Sequence, residues 1–157
     1  MADGTASTST STSTPAPSTE QQPLVMQIIV DRELVKQPGW TRGPLMAQSA
    51  HAALAACHIS STSPNTTAYL GPENLAHMHK IVLQTPSDNG KTTLTALSER
   101  LAQARKEWEA TREGEEVPLH YLWIEQPENI PTCLALAPNR KPPAVKKILN
   151  KCSLLRD

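Results

Sequence analysis

Gln48 and His51 stand three residues apart in a run with no helix breaker between Pro44 and about Ser60. On a helix that spacing places both side chains on one face, one above the other. A histidine side chain, with an ordinary pKa of about 6.5, can accept and return a proton at neutral pH. A glutamine amide can donate to a carbonyl or phosphate oxygen. A lone histidine on an alanine-rich helix is also a common structural residue, so the pair alone does not define a reaction. No G-x-S-x-G context exposes a serine nucleophile, which leaves water as the economical attacking group. Cys57, Cys133 and Cys152 lie far apart and form no Cys-x-x-Cys pair, so they read as buried or incidental thiols. His77 and His79 flank Met78 with no third ligand nearby and read as surface residues. Neither a metal nor a cofactor is indicated.

The formal net charge is zero, with 15 Lys and Arg against 15 Asp and Glu, so nothing global marks a nucleic-acid binder. The charge is local instead. The stretch NRKPPAVKKILNK gathers Arg140, Lys141, Lys146, Lys147 and Lys151 with no acid among them. Such a stretch suits a phosphate-tracking surface, and an ordinary solvated helix is its bland counterpart.

These residues need a scaffold, and 157 residues suffice for one domain with a real core. Residues 1–23, nearly all Ser, Thr, Ala and Pro, have no apolar spacing to offset the entropy of ordering them, and they predict a disordered tail ahead of a domain over 24–157. The tail has neither the apolar run of a secretory signal nor the repeated arginines of a mitochondrial presequence, which points to the cytoplasm and makes the sequon at Asn65 irrelevant. No stretch approaches the roughly 20 apolar residues that cross a bilayer.

Residues 24–30, LVMQIIV, are β-branched and apolar at strand length. A loop broken by Pro38 and Gly39 leads to the alanine-rich helix opened by Gly43 and Pro44, whose small side chains predict close packing on a sheet. Broken helical turns through Gly71 and Pro72 precede a second strand, KIVLQT. Residues 87–90 make a turn with capping candidates for a long helix, where Leu94, Leu97, Leu101, Ala104 and Trp108 recur at helical steps. LHYLWIEQ and TCLALAP give two more strands, and PPAVKKILNK a closing helix. Tyr121 and Trp123 alternate on one strand and read as core or rim. Strands separated by helices, with a late antiparallel pair, predict a three-layer α/β/α domain with a mixed sheet of roughly four strands.

The run GPLMAQSAHAA, residues 43–53, resembles the first-helix pattern Gly-Lys-x-x-Ala-Gln-x-x-His-Ala of the type-2 peptidyl-tRNA hydrolases. Ala47, Gln48, His51 and Ala52 match at their spacing, and KIVLQT and TCLALAP resemble the family's later strands in the right order. WIEQPENIPTCLALAP and the long loop before the first helix are most similar to the eukaryotic peptidyl-tRNA hydrolase domain-containing subgroup. Two positions depart from the family pattern: Pro44 replaces its lysine, and Glu125 at best replaces its aspartate.

The resemblance implies a cofactor-free hydrolase of peptidyl-tRNA or aminoacyl-tRNA, serving translation quality control. By aligned position and side-chain chemistry, His51 would accept the proton of water and Glu125 would orient water or the imidazole. Gln48 would donate to a carbonyl or phosphate, and Thr132 and Asn129 would contact the ribose or oxyanion. Arg42, Arg140, Lys141, Lys146 and Lys147 would hold the acceptor arm. The losses at Pro44 and Glu125 leave a second reading open, a catalytically degenerate tRNA- or protein-binding module. A third is a scaffold whose exposed strand edge and small-residue helix serve partners, a homodimer among them.

Overall fold

The computed structural model describes residues 21–156. The expected tail over residues 1–23 therefore lies outside the described residues except for 21–23. At this boundary the Arg140 guanidinium donates to the Gln22 carbonyl.

The run Val25–Val30 forms β1, buried at every position. That is the pattern of a strand covered on both faces. β1 pairs in parallel with β2 (His79–Gln84) and antiparallel with β4 (Ile130–Leu136). β3 (His120–Glu125) pairs antiparallel with β4, and a short β5 (Ser153–Leu154) pairs antiparallel with β2. The order is β3-β4-β1-β2-β5. Sequence predicts about four strands; the fifth has only two residues, too few to show alternation. Its register, Leu83 opposite Leu154, and the bond from Leu155 N–H to the Val82 carbonyl at 3.0 Å come from tertiary contact.

Among the described residues, five α-helices flank the sheet: α1 (Arg32–Val35), α2 (Arg42–Ile59), α3 (Pro64–Leu70), α4 (Leu94–Thr111) and α5 (Pro143–Ile148). Strand alternation sends Met26, Ile28, Val30, Cys133 and Ala135 to one face, where they pack with Leu34, Ala52, Ala56 and Tyr69 of α1, α2 and α3. It sends Ile29, Leu134 and Leu136 to the other face, against Leu94, Leu97, Leu101 and Val145 of α4 and α5. The result is the expected three-layer α/β/α arrangement. Truncating a fully buried leucine such as Leu97 or Leu134 would cost about 2–5 kcal/mol.

The helix that carries Gln48 and His51 is α2. It starts at Arg42 behind Thr41, so Pro44 sits in the first turn, where a missing N–H leaves no bond unmade. Ala52 and Ala56 are wholly buried with no side chain beyond a methyl, which lets the helix lie close on β3 and β4. The caps of α4 differ in detail from expectation. Thr93 accepts from Ala96 N–H at 3.1 Å, whereas Asp88 closes the preceding turn through Thr92 N–H at 3.1 Å and the Thr92 hydroxyl at 2.6 Å. Those bonds hold the Asp88 carboxyl below its usual range.

At the start of β1 the sheet is tied by amides. Asn139 Nδ2 donates to Gln27 Oε1 at 2.7 Å and to the Ala137 carbonyl at 2.8 Å, while its Oδ1 accepts from Lys141 N–H at 2.9 Å. Val25 and Asn139 exchange backbone bonds of 2.9 and 3.0 Å.

Candidate active site

The other end of the sheet, where β1 and β3 finish and β4 begins, carries the residues singled out from the sequence. Val30 lies opposite Cys133, and Asp31 N–H reaches the Thr132 carbonyl at 3.4 Å. The first turns of α2 pass over this end. There the Thr132 hydroxyl donates to Gln48 Oε1 at 2.9 Å, with Thr132 wholly buried and Gln48 only 5% exposed. The bond spends the amide oxygen of Gln48. Its NH2 group remains as the donor beside the groove that Gln48 lines.

The pleat of β3 sets the second pair. Tyr121 and Trp123 share the face toward α2, where Trp123 packs against the core. The His51 imidazole stacks on the Trp123 indole with ring centroids 4.6 Å apart and planes 19° from parallel. Trp123 Nε1–H donates to Glu125 Oε2 at 2.8 Å. A register shift after Trp123 and the left-handed backbone of Asn129, φ 56°, shape the turn into β4. Asn129 Oδ1 accepts from Gln126 Nε2 at 3.3 Å, so this side chain holds the turn together.

Two grooves meet at Glu125. One, of about 480 Å³, is lined by His51 and residues 121–126. The other, of about 360 Å³, is lined by Trp40, Pro44, Gln48, Glu125, Gln126 and Glu128, together with Gly39. A third depression of about 360 Å³ continues from His51, Tyr121 and Trp123 along α2 past Leu54 and His58. His51, Gln48, Glu125 and Thr132 are therefore brought to one end of the sheet. Trp123, read from sequence as core or rim, links His51 to Glu125; the two-residue step from Trp123 to Glu125 on one strand face was the available signal.

The basic residues are distributed otherwise. Arg42 is exposed at the first position of α2, near this end. Arg140 and Lys141 follow β4 at the opposite end of the sheet, about 20 Å from Thr132 at the usual rise per residue. Lys146 and Lys147 lie in the last turn of α5, in the layer across the sheet from α2. Among the described residues, no cluster of three or more His, Cys, Asp or Glu could hold a metal ion. The three cysteines are unpaired; burial pushes Cys133 up to about 12 and Cys152 up to about 11, and raises Cys57 as well. None of them is a poised nucleophile.

A family model described as peptidyl-tRNA hydrolase PTH2 matches residues 24–155, and the chain belongs to that family. A human protein named "Putative peptidyl-tRNA hydrolase PTRHD1" is 41% identical over 123 residues, covering 78% of this chain and 76% of that protein. A mouse protein of the same name is 38% identical over 138 residues, covering 87% and 86% respectively. The resemblance carried by residues 43–53 is thus borne out. No helix among the described residues is long and apolar enough to cross a membrane.

Proposed function

We infer that this protein hydrolyses the ester joining a peptide or N-blocked aminoacyl group to tRNA, using water and no cofactor, in cytoplasmic translation quality control. The observation that carries the reading is Glu125, held by the Trp123 indole where the groove of His51 meets the groove of Gln48. His51 takes a proton from water as the water oxygen bonds to the ester carbonyl carbon. The Gln48 amide donates to the developing oxyanion. The carbonyl then re-forms, the bond to the ribose oxygen breaks, and His51 returns the proton to that oxygen. Glu125 orients the attacking water. Thr132 acts through Gln48, by fixing which way the amide points.

Single-turnover release of a labelled N-acetylaminoacyl group from tRNA tests this in wild type, His51→Ala and Glu125→Gln, with tRNA retention recorded in parallel. Release well above the spontaneous rate in wild type, lost in either variant, supports the enzyme. If all three retain tRNA and none exceeds the spontaneous rate, the hydrolase reading is wrong.

One observation favours a second reading. The groove at Pro44, where the family carries lysine, is lined by Glu125 and Glu128 and by no lysine or arginine. A binding module without useful turnover would show that absence of cationic oxyanion support, and the retention arm of the experiment detects it.

A further inference from the structure

The groove beside His51 is lined by residues 121–125 of a strand at the edge of the sheet and by Gln126 just after it. One flank of β3 is paired with β4 and the other carries no strand among the described residues. Leu119 accepts from Ala137 N–H at 2.8 Å, and the antiparallel register continues from that pair through His120 opposite Leu136 to Trp123 opposite Cys133. Backbone groups of Leu119, Tyr121 and Trp123 therefore point to β4, while those of His120 and Leu122 point off the open edge. The strand is six residues long, about 17 Å, enough for four or five residues of an added strand.

The chemistry of this trough suits one half of the substrate and not the other. Its walls present Tyr121, Trp123, Ile124 and Leu54, with His51 and His58, and neither lysine nor arginine lines it. A phosphate backbone finds no countercharge there. An extended peptide finds an open row of N–H and C=O groups with apolar walls on alternate positions, the arrangement by which strands are added to sheet edges. The trough also ends at Glu125, where the ester would lie.

We propose that the open edge of β3 binds the peptide portion of peptidyl-tRNA as an added strand, so that the protein reads peptide backbone independently of side-chain identity. The inference rests on the hydrolase reading for its substrate, and the test separates the two.

The probe is tRNA bearing its acyl group through a 3′-amide, which water does not cleave at the rate of an ester. Wild-type affinity is measured for N-acetylalanyl, tetra-alanyl and N-methylated tetra-alanyl forms. The tetrapeptide should bind roughly tenfold more tightly than the single acyl group, and N-methylation should remove most of the gain. Leu122→Pro, which takes an N–H from the open edge, should bind all three forms equally, with its folding checked by circular dichroism. The two wild-type comparisons stand even if that variant misfolds. Equal wild-type affinity for all three forms overturns the proposal. So does a wild-type dimer that Leu122→Pro abolishes, which would give the edge to a second copy. Length-dependent binding without ester turnover would leave the edge assignment standing and remove the hydrolase reading.

Discussion

The Trp123 indole touches Glu125 through its N–H, at 2.8 Å, while its ring stacks on the His51 imidazole with centroids 4.6 Å apart. One side chain thus sets the positions of both groups assigned to water. Its two contacts use different parts of the ring, so substitutions can separate them.

Trp123→Phe keeps an aromatic face for His51 and removes the donor to Glu125. The single-turnover rate should fall roughly tenfold, about the worth of one charge-assisted hydrogen bond, with little change in melting temperature. An unchanged rate would mean that the indole only packs.

Thr132→Val removes the donor of a buried hydrogen bond to Gln48 Oε1. Urea unfolding should show a loss of about 1–3 kcal/mol, and Thr132→Ser should recover most of it. The release rate should fall with Val and return with Ser, because the hydroxyl fixes which way the Gln48 amide points.

His120 offers a test of pH dependence that involves no catalytic group. Burial holds its pKa below the ordinary 6.5, with the bond to Ser98 working the other way. As pH falls through about 6.5 the unfolded chain takes up a proton that the folded chain refuses, so stability declines until the lower folded pKa is reached. The urea midpoint should therefore drop between about pH 7.5 and 5.5, and drop less in His120→Gln. Equal slopes in the two proteins would remove His120 as the cause.

Asn139→Ala leaves Gln27 Oε1 without its partner beneath the central strand and opens the turn at Lys141. A loss of about 2–3 kcal/mol in urea unfolding is expected. Gln27→Leu in the same chain should cost less than it does alone, because the two amides bond to each other; strict additivity of the two losses would show that they are energetically independent.

Much of this architecture was legible in the sequence because it rests on periodicity. The β-branched run of β1 and the leucine steps of α4 name their elements, and the Gln48 and His51 spacing names a helix face. What was not legible depends on tertiary contact. α1 is a single turn set by Asp31 accepting from Glu33 N–H at 2.9 Å, inside a stretch that reads as loop. β5 exists because β2 offers it a partner. The bonds of Gln48 to Thr132 and of Gln27 to Asn139 join residues 84 and 112 positions apart, beyond any local pattern. The basic run near the end reads as one surface, yet an antiparallel β4 carries Arg140 and Lys141 away from the end where Gln48 and Glu125 meet.

The bare methyls of Ala52 and Ala56 also have a consequence for the proposed site. They act as shims: each sets how far α2 stands off the sheet, and so the gap between the imidazole of His51 and the indole of Trp123. Enlarging either one would retune that gap while leaving every reactive group in place. A substitution at either alanine would thus tune the proposed site from positions that line none of its grooves.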